Sequence, residues 1–328
     1  VEDAGLVEST SFRPSQETVT KQMIADLSED DYALLDTFLA QPLDTQTAEF
    51  LSLDEARQQA LLATSYKMLR LRQNRKARDP ETASKSYHLL EQLSHYPQAP
   101  DPVITPPVRP ETGHLSKQLT LGALERDGHG YSELGIRMSY HDLEDNEAGY
   151  MRGAQINIIG MVLRRRNSTG SVFLQSANFA DVFSLTPRSR FFTPISWRVR
   201  GGVERVYSDD KDRLVGHVSG GGGYAWPLLE DGAVYSLLTG RLEANSTFTH
   251  KLEPALGAAA GGLYHSTIGT GRTEINAEKF TGGEYRINFS LTQNLVLSRN
   301  NALQIKFKRE WHNDKDFNEV GLSYNFFF

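Results

Sequence analysis

Cysteine is absent from the 328 residues, which excludes thiolate catalysis, disulfides and cysteine-ligated zinc within this chain. Long apolar runs are missing as well: hydrophobic residues make up 39%, and no stretch approaches the ~20 apolar residues of a membrane helix. Charge of one sign is not in large excess, with a net value of -6, and an acidic chain without a recognisable binding motif gives no reason to expect nucleic acid. By hydropathy alone the protein reads as soluble. A transmembrane β-barrel escapes that test, because each strand shows lipid only on every second residue. The sequence opens at Val1 without Met or a signal peptide, and is expected to be a mature or expressed piece of a chain whose precursor can be longer.

What is present is alternation near the C-terminal end. Val320, Leu322, Tyr324, Phe326 and Phe328 take every second position, with Glu319, Gly321, Ser323 and Asn325 between them. A strand here carries five large apolar groups on one face. The pattern resembles the C-terminal signal strand of Gram-negative outer-membrane proteins, whose alternating aromatics and final Phe are read by the barrel-assembly machinery. The last strand of a soluble sandwich or barrel is the alternative.

Residues 1–96 read as a small helical domain. Met23, Leu27, Leu34, Leu35, Phe38 and Leu39 suit a helical pair, with Ser28-Glu29-Asp30-Asp31 as N-cap and acidic first turn. Ser52-Leu53-Asp54-Glu55 reads as a capping box opening a helix to about Lys76, and a last helix after Asp79-Pro80 is expected to hold Tyr87, Leu90 and Leu93. Lys67, Arg70, Arg72, Arg75, Lys76 and Arg78 form a basic cluster, read as a solvated face or as a contact for anionic headgroups. Residues 97–113 hold six prolines and form an extended tether.

From residue 114 to 328 the pattern is of strands. Leu115, Leu119 and Leu121 alternate with Gln118, Thr120 and Gly122, next Leu134, Ile136, Met138 and Tyr140 alternate with Glu133, Arg137, Ser139 and His141, and ten further strands follow from about 152–165 to 317–328. Those at 152–165, 171–184 and 233–245 alternate less cleanly. Twelve antiparallel strands with one apolar face each match an outer-membrane barrel. The opposite face carries Glu133, Arg137, Arg198, Arg200, Glu204, Glu284, Arg286, Lys306, Lys308 and Glu310. Unpaired in a soluble core each would cost several kcal/mol, whereas across a polar lumen they can pair. The two longer connections, 141–150 and 185–194, then lie on the inner, periplasmic rim.

Candidate sites follow from that placement. His141 with Asp142 and Glu144 offers donors for a metal or acid/base cluster, or hydrogen bonds that fix a long turn, and no metal or cofactor is assigned. Arg188 and Arg190 beside Phe191 and Phe192 can dock an anionic headgroup or a periplasmic partner, or form part of an interfacial girdle. Trp197, Trp226 and Trp311 suit aromatic belts. His217 and Ser219 share a strand face and resemble part of the His-x-Ser-Asn-Gly motif of outer-membrane phospholipase A. Gly220 stands where that family has Asn, and the alternation turns His217 toward the lumen, away from lipid.

Further segments carry a second resemblance: Phe12-Arg13-Pro14-Ser15, Pro110-Glu111-Thr112-Gly113-His114, Tyr140-His141-Asp142-Leu143-Glu144-Asp145, Gly149-Tyr150, Gly153-Ala154-Gln155-Ile156, Ser184-Leu185-Thr186-Pro187-Arg188 and Ser196-Trp197-Arg198-Val199. They look like the C-terminal half of a proteobacterial family bearing an N-terminal periplasmic domain related to the lipoprotein N-acyltransferase (Lnb-type) domain. The resemblance implies a catalytic domain before Val1, and it places no active-site residue in a chain without cysteine.

The expectation is a mainly β protein: a twelve-stranded antiparallel transmembrane β-barrel in the outer membrane of a Gram-negative bacterium, preceded by a small all-α periplasmic domain. Its expected partners are outer-membrane lipid and lipopolysaccharide, the barrel-assembly machinery, and a periplasmic protein or missing N-terminal domain. Its expected role is to anchor or dock lipid- and lipoprotein-processing machinery without catalysis of its own. The alternatives are a membrane-embedded phospholipase or acyltransferase using His217 and Ser219, and a narrow solute channel.

Overall fold

The computed structural model describes residues 9, 11–40, 45–75, 80–97, 101–208, 211–248, 251–313 and 315–328, without the side chains of 74 and 75. Lys76, Arg78 and the side chain of Arg75, half of the basic cluster, lie outside the described residues. The chain forms two compact units, Val1–Pro107 and Val108–Phe328.

The first unit holds α1 (Gln16–Ala25), α2 (Glu29–Ala40), α3 (Ala48–Leu51), α4 (Glu55–Arg75) and α5 (Pro80–Leu93). None of its described helices is long and apolar enough to cross a membrane. Leu35, Phe38, Phe50, Leu61, Leu62, Met68 and Leu89 form its core. Two expectations shift by one or two residues. The N-cap of α4 is Asp54, whose Oδ1 accepts from the Arg57 N–H at 2.9 Å, because Ser52 is already used to end α3. In α5 the buried apolar residue is Leu89, while Tyr87 and Leu90 are exposed.

The second unit is a closed ring of β1 (Gln118–Arg126), β2 (His129–His141), β3 (Ala154–Arg166), β4 (Val172–Ser184), β5 (Ser196–Ser208), β6 (Lys211–Leu228), β7 (Gly232–Ala244), β8 (Leu252–Ser266), β9 (Gly269–Phe280), β10 (Tyr285–Ser298), β11 (Asn301–Trp311) and β12 (Asp316–Phe327). Each strand pairs antiparallel with its sequence neighbour, and β1 closes on β12 from Gln118↔Phe327 to Arg126↔Glu319. Strands of 9 to 18 residues are long enough to cross a bilayer obliquely.

Period-two alternation sends apolar groups outward. Leu238 and Leu256 are 77% and 78% exposed, and Phe179, Val218 and Ile275 join them. Val320, Leu322, Tyr324, Phe326 and Phe328 all point outward and are exposed, whereas Phe327 points inward at 2%. Tyr140, Trp197, Tyr224, Trp226, Tyr264 and Tyr324 lie on the outside, near the rim where the even-numbered strands end, which we call the inner rim.

The less regular strands have separate causes. In β3 a backbone irregularity at Ile159, φ 58°, leaves Ile158 and Ile159 both exposed, so the period resets in mid-strand. Its neighbour β4 shifts register against β5 between Asn178 and Ala180. β7 is regular, but Tyr235 and Leu237 point inward while Leu238 and Leu242 point outward, so both faces look apolar in sequence.

One ion pair in the helical unit has a pH consequence. Arg57 donates to Asp31 at 2.8 and 3.3 Å, and Ser28 Oγ donates to the same carboxylate at 2.7 Å. Burial pushes the Asp31 carboxyl up, but the bonds from Arg57 and Ser28 outweigh it and hold it below its usual range. A depressed carboxylate stabilises the fold above its unfolded pKa and ceases to do so as pH falls through the folded value. Asp31→Ala is expected to cost the helical unit about 1–2 kcal/mol at neutral pH, toward the low end because Arg57 is 40% exposed. Urea melts followed by helical circular dichroism should show that difference shrinking below about pH 4.

Candidate functional site in the barrel lumen

The inward face is charged, and its charges pair across the barrel. Arg164 of β3 reaches Glu133 of β2 at 2.9 Å and Glu319 of β12 at 2.8 Å. Arg198 of β5 holds Asp181 at 3.1 Å and Glu274 of β9 at 3.3 Å. Glu274 also accepts from Arg272 at 2.7 Å and from the Tyr235 hydroxyl. Arg241 joins Glu204 and Glu243, and Arg286 of β10 meets the same Glu243 at 2.7 Å. Near the opposite rim Arg126 bonds Glu310 at 3.3 Å and lies 4.4 Å from the Phe317 ring centroid. Each guanidinium thus faces carboxylates instead of low-dielectric protein, which is what makes such burial tolerable.

The β4–β8 side is filled differently. Leu143 from the β2–β3 connection and Leu185 from the β4–β5 connection turn inward and pack with Phe183, Ala225, Ala233, Tyr235, Leu237, Ala259 and Leu263. The two connections are locked together at Gly153, where Leu185 N–H donates to the Gly153 carbonyl at 2.7 Å. Gly153 has φ 75°, and a Cβ on it would lie 2.1 Å from the Leu185 carbonyl oxygen, so only glycine fits. The longer loops therefore form an apolar plug inside the barrel. Nothing in the charged-face pattern announced it, because Leu143 lies in a loop and β7 is apolar on both faces.

At the inner rim the expected His141, Asp142 and Glu144 do not converge on one point. His141 Nδ1 lies 3.0 Å from His114 Nε2, Asp142 accepts from Arg137, and Glu144 accepts from Arg272 at 3.0 Å. Arg137 also donates to Asp145, and it is 4% exposed. Burial pushes the Asp142 carboxyl up to about 6, against the pull of Arg137 and with a push from Asp145 and Glu144. Burial acts on Asp145 in the same direction, but Arg137 and the two imidazoles overcome it and hold this carboxyl low. His114 and Asp145 are the members that sequence spacing missed. His114 precedes β1, and only the β1–β2 register brings it to the end of β2.

The other candidates separate in the same way. Arg188 lies 4.2 Å from the Tyr224 ring centroid and its N–H donates to the Ala225 carbonyl at 2.8 Å. Arg190 sits 5.9 Å from the Phe191 ring on the same connection, with Phe192 bonding back to Ser189. His217 and Ser219 do share the inward face, yet both ring nitrogens of His217 are buried without a hydrogen-bond partner. The imidazole is thus not positioned as a base on the Ser219 hydroxyl, and neither group meets lipid.

Space remains along the other wall. A cavity of about 320 Å³ is bounded by Gln118, Thr120, Glu133, Arg137, Asn157, Asn178, Thr292, Gln304, Lys306 and Asn325 among others. A second, about 180 Å³, lies beside Arg164, Gln175, Ser176, Glu319 and Ser323. The two share Glu133, Val162 and Lys306, and the Arg164 bridges stand at their junction. Lys306 alone among these charges has no ion-pair partner among the described residues.

Arg137 carries the largest single test of this interior. Arg137→Ala leaves Asp142 and Asp145 side by side without their cation, and is expected to cost the barrel about 3–5 kcal/mol at pH 7. The loss should shrink as pH falls toward about 6, because without Arg137 the Asp142 carboxyl takes up its proton at a higher pH than in the native chain. Urea unfolding in lipid bilayers, read by tryptophan fluorescence, measures both.

Comparison with solved structures returns membrane barrels at low similarity. An outer membrane channel from Pseudomonas putida F1 matches at 12% identity and TM-score 0.40, covering 71% of this chain and 100% of that one. The KdgM porin, in complex with disordered oligogalacturonate, matches at 10% identity and TM-score 0.36, covering 63% of this chain and 98% of that one. An anion-selective porin from Comamonas acidovorans matches at 10% identity and TM-score 0.31, covering 66% and 98%. No curated protein matches the sequence. The resemblance to proteins with an Lnb-type domain finds no support in these comparisons. Residues 107–327 match the family described as "Domain of unknown function (DUF7840)", and over these two thirds of its length the chain belongs to that family.

Proposed function

We propose that the chain is a narrow channel of the outer membrane for small polar solutes or ions, with its path along β1–β4 and β10–β12. The observation that carries this reading is the pair of polar cavities meeting at Glu133, Val162 and Lys306. The outward apolar face supports a lipid-embedded barrel, since water would otherwise meet contiguous leucine, valine and aromatic surface. Charged, amide and hydroxyl side chains around the larger cavity suit a hydrated solute, and the apolar plug confines passage to one wall. The periplasmic placement of the helical unit belongs to the same proposal, as does recognition of β12 by assembly machinery. Docking of lipoprotein machinery at the inner rim is the weaker reading, because both long connections turn Leu143 and Leu185 inward.

Arg164 bonds Glu133, which lines both cavities, and Lys306 is the charge there without an ion-pair partner among the described residues. Planar-bilayer recordings are expected to show small, discrete currents for the native chain and a several-fold larger conductance for Arg164→Ala. Lys306→Glu should move the reversal potential in a KCl gradient toward cation selectivity. Silence of both the native chain and Arg164→Ala, with folding confirmed by gel mobility, would exclude a channel.

A further inference from the structure

One donor atom each from His114, His141 and Asp145 lies within 4.8 Å of the others at the inner rim, and all three residues are buried. We propose that these side chains hold one divalent ion of the zinc type, with a fourth position left for water. Zinc bonds of ~2.0–2.1 Å in tetrahedral array place donor atoms ~3.3 Å apart. The observed separations, 3.0 Å between the imidazole nitrogens and 4.0 Å from His114 Nε2 to Asp145 Oδ2, lie on either side of that value. Small side-chain rotations suffice to close the set.

The surroundings match the outer shell of a metal site. His114 Nδ1 lies 2.7 Å from the Leu115 carbonyl oxygen, so it carries the ring proton and leaves the Nε2 lone pair facing the cluster. His141 currently completes a hydrogen bond to His114, and on binding its proton moves from Nδ1 to Nε2. The Asp145 carboxylate is aimed by Arg137 and by the backbone N–H of Asp142 at 2.9 Å. The Arg137 charge opposes a cation, and Asp142 on the same guanidinium offsets it. Tyr150 stacks on both imidazoles at 4.4 and 4.3 Å between centroids, and Phe327 lies 4.2 Å from His114, which excludes bulk water. Two imidazoles and one carboxylate, with no thiolate, suit zinc, nickel or copper better than calcium or magnesium.

Such an ion would tie the segment before β1 to the β2–β3 connection, beside the seam where β12 closes the barrel. The proposal is independent of conduction. It is tested on the full folded chain in detergent, stripped with a chelator, by competition titration with Zn²⁺ and by the visible spectrum on adding Co²⁺. One equivalent is expected, with tetrahedral cobalt absorbance, and affinity lower by at least ~10-fold in His114→Ala and Asp145→Asn. His217→Ala, a buried histidine elsewhere in the lumen, should bind as the native chain does. Absence of stoichiometric binding to the folded native chain overturns the site, as does unchanged binding by His114→Ala. If His114→Ala fails to fold, His114→Gln and the native cobalt spectrum decide it.

Discussion

The closure of β1 on β12 is the constraint on which the barrel depends. In hydrocarbon an unpaired backbone amide costs several kcal/mol, so a sheet can cross only if it has no edge. The pairing from Gln118↔Phe327 to Arg126↔Glu319 removes both edges at once. Closure also fixes the inside and the outside of every strand, because side chains alternate. The apolar set of β12 faces out, and Phe327, one residue away, reaches in to pack on His114 at the rim.

Once the ring is closed, the interior has to be filled or hydrated. Two materials fill it. Guanidinium and carboxylate groups bridge non-adjacent strands, as Arg164 does from β3 to β12 and Arg198 from β5 to β9, and these bridges take up part of the interior. Leucines from the two long inner connections complete an apolar plug on the β4–β8 side. What remains open is a polar strip along one wall, interrupted at Arg164. A barrel filled in this way does not enclose a wide aqueous pore.

Much of this was legible from residue spacing. The twelve strands, the outward set from Val320 to Phe328 and the charged inward set follow from period two, which depends on local geometry alone. The same signal failed where geometry is not local. At Ile159 a backbone irregularity resets the phase, and in β7 an inward Tyr235 and Leu237 meet a plug that no strand pattern encodes. The rim cluster shows the limit most clearly. His141 stood out beside Asp142 and Glu144, but its partner His114 lies 27 residues earlier, and the three carboxylate and imidazole neighbours diverge to Arg137, Arg272 and His114. Sequence gave the chemistry of the candidates, and register decided which of them meet.

The central claim is a lipid-embedded barrel whose exterior is apolar and whose interior is paired charge. Alternation and position put Trp197, Trp226 and Trp311 on the outer face. Tryptophan fluorescence of the chain refolded into vesicles with brominated acyl chains tests the claim most directly. The account predicts strong quenching by the brominated lipid and little by aqueous iodide. Emission unaffected by brominated lipid, from a protein that stays folded and dispersed without detergent, would contradict it.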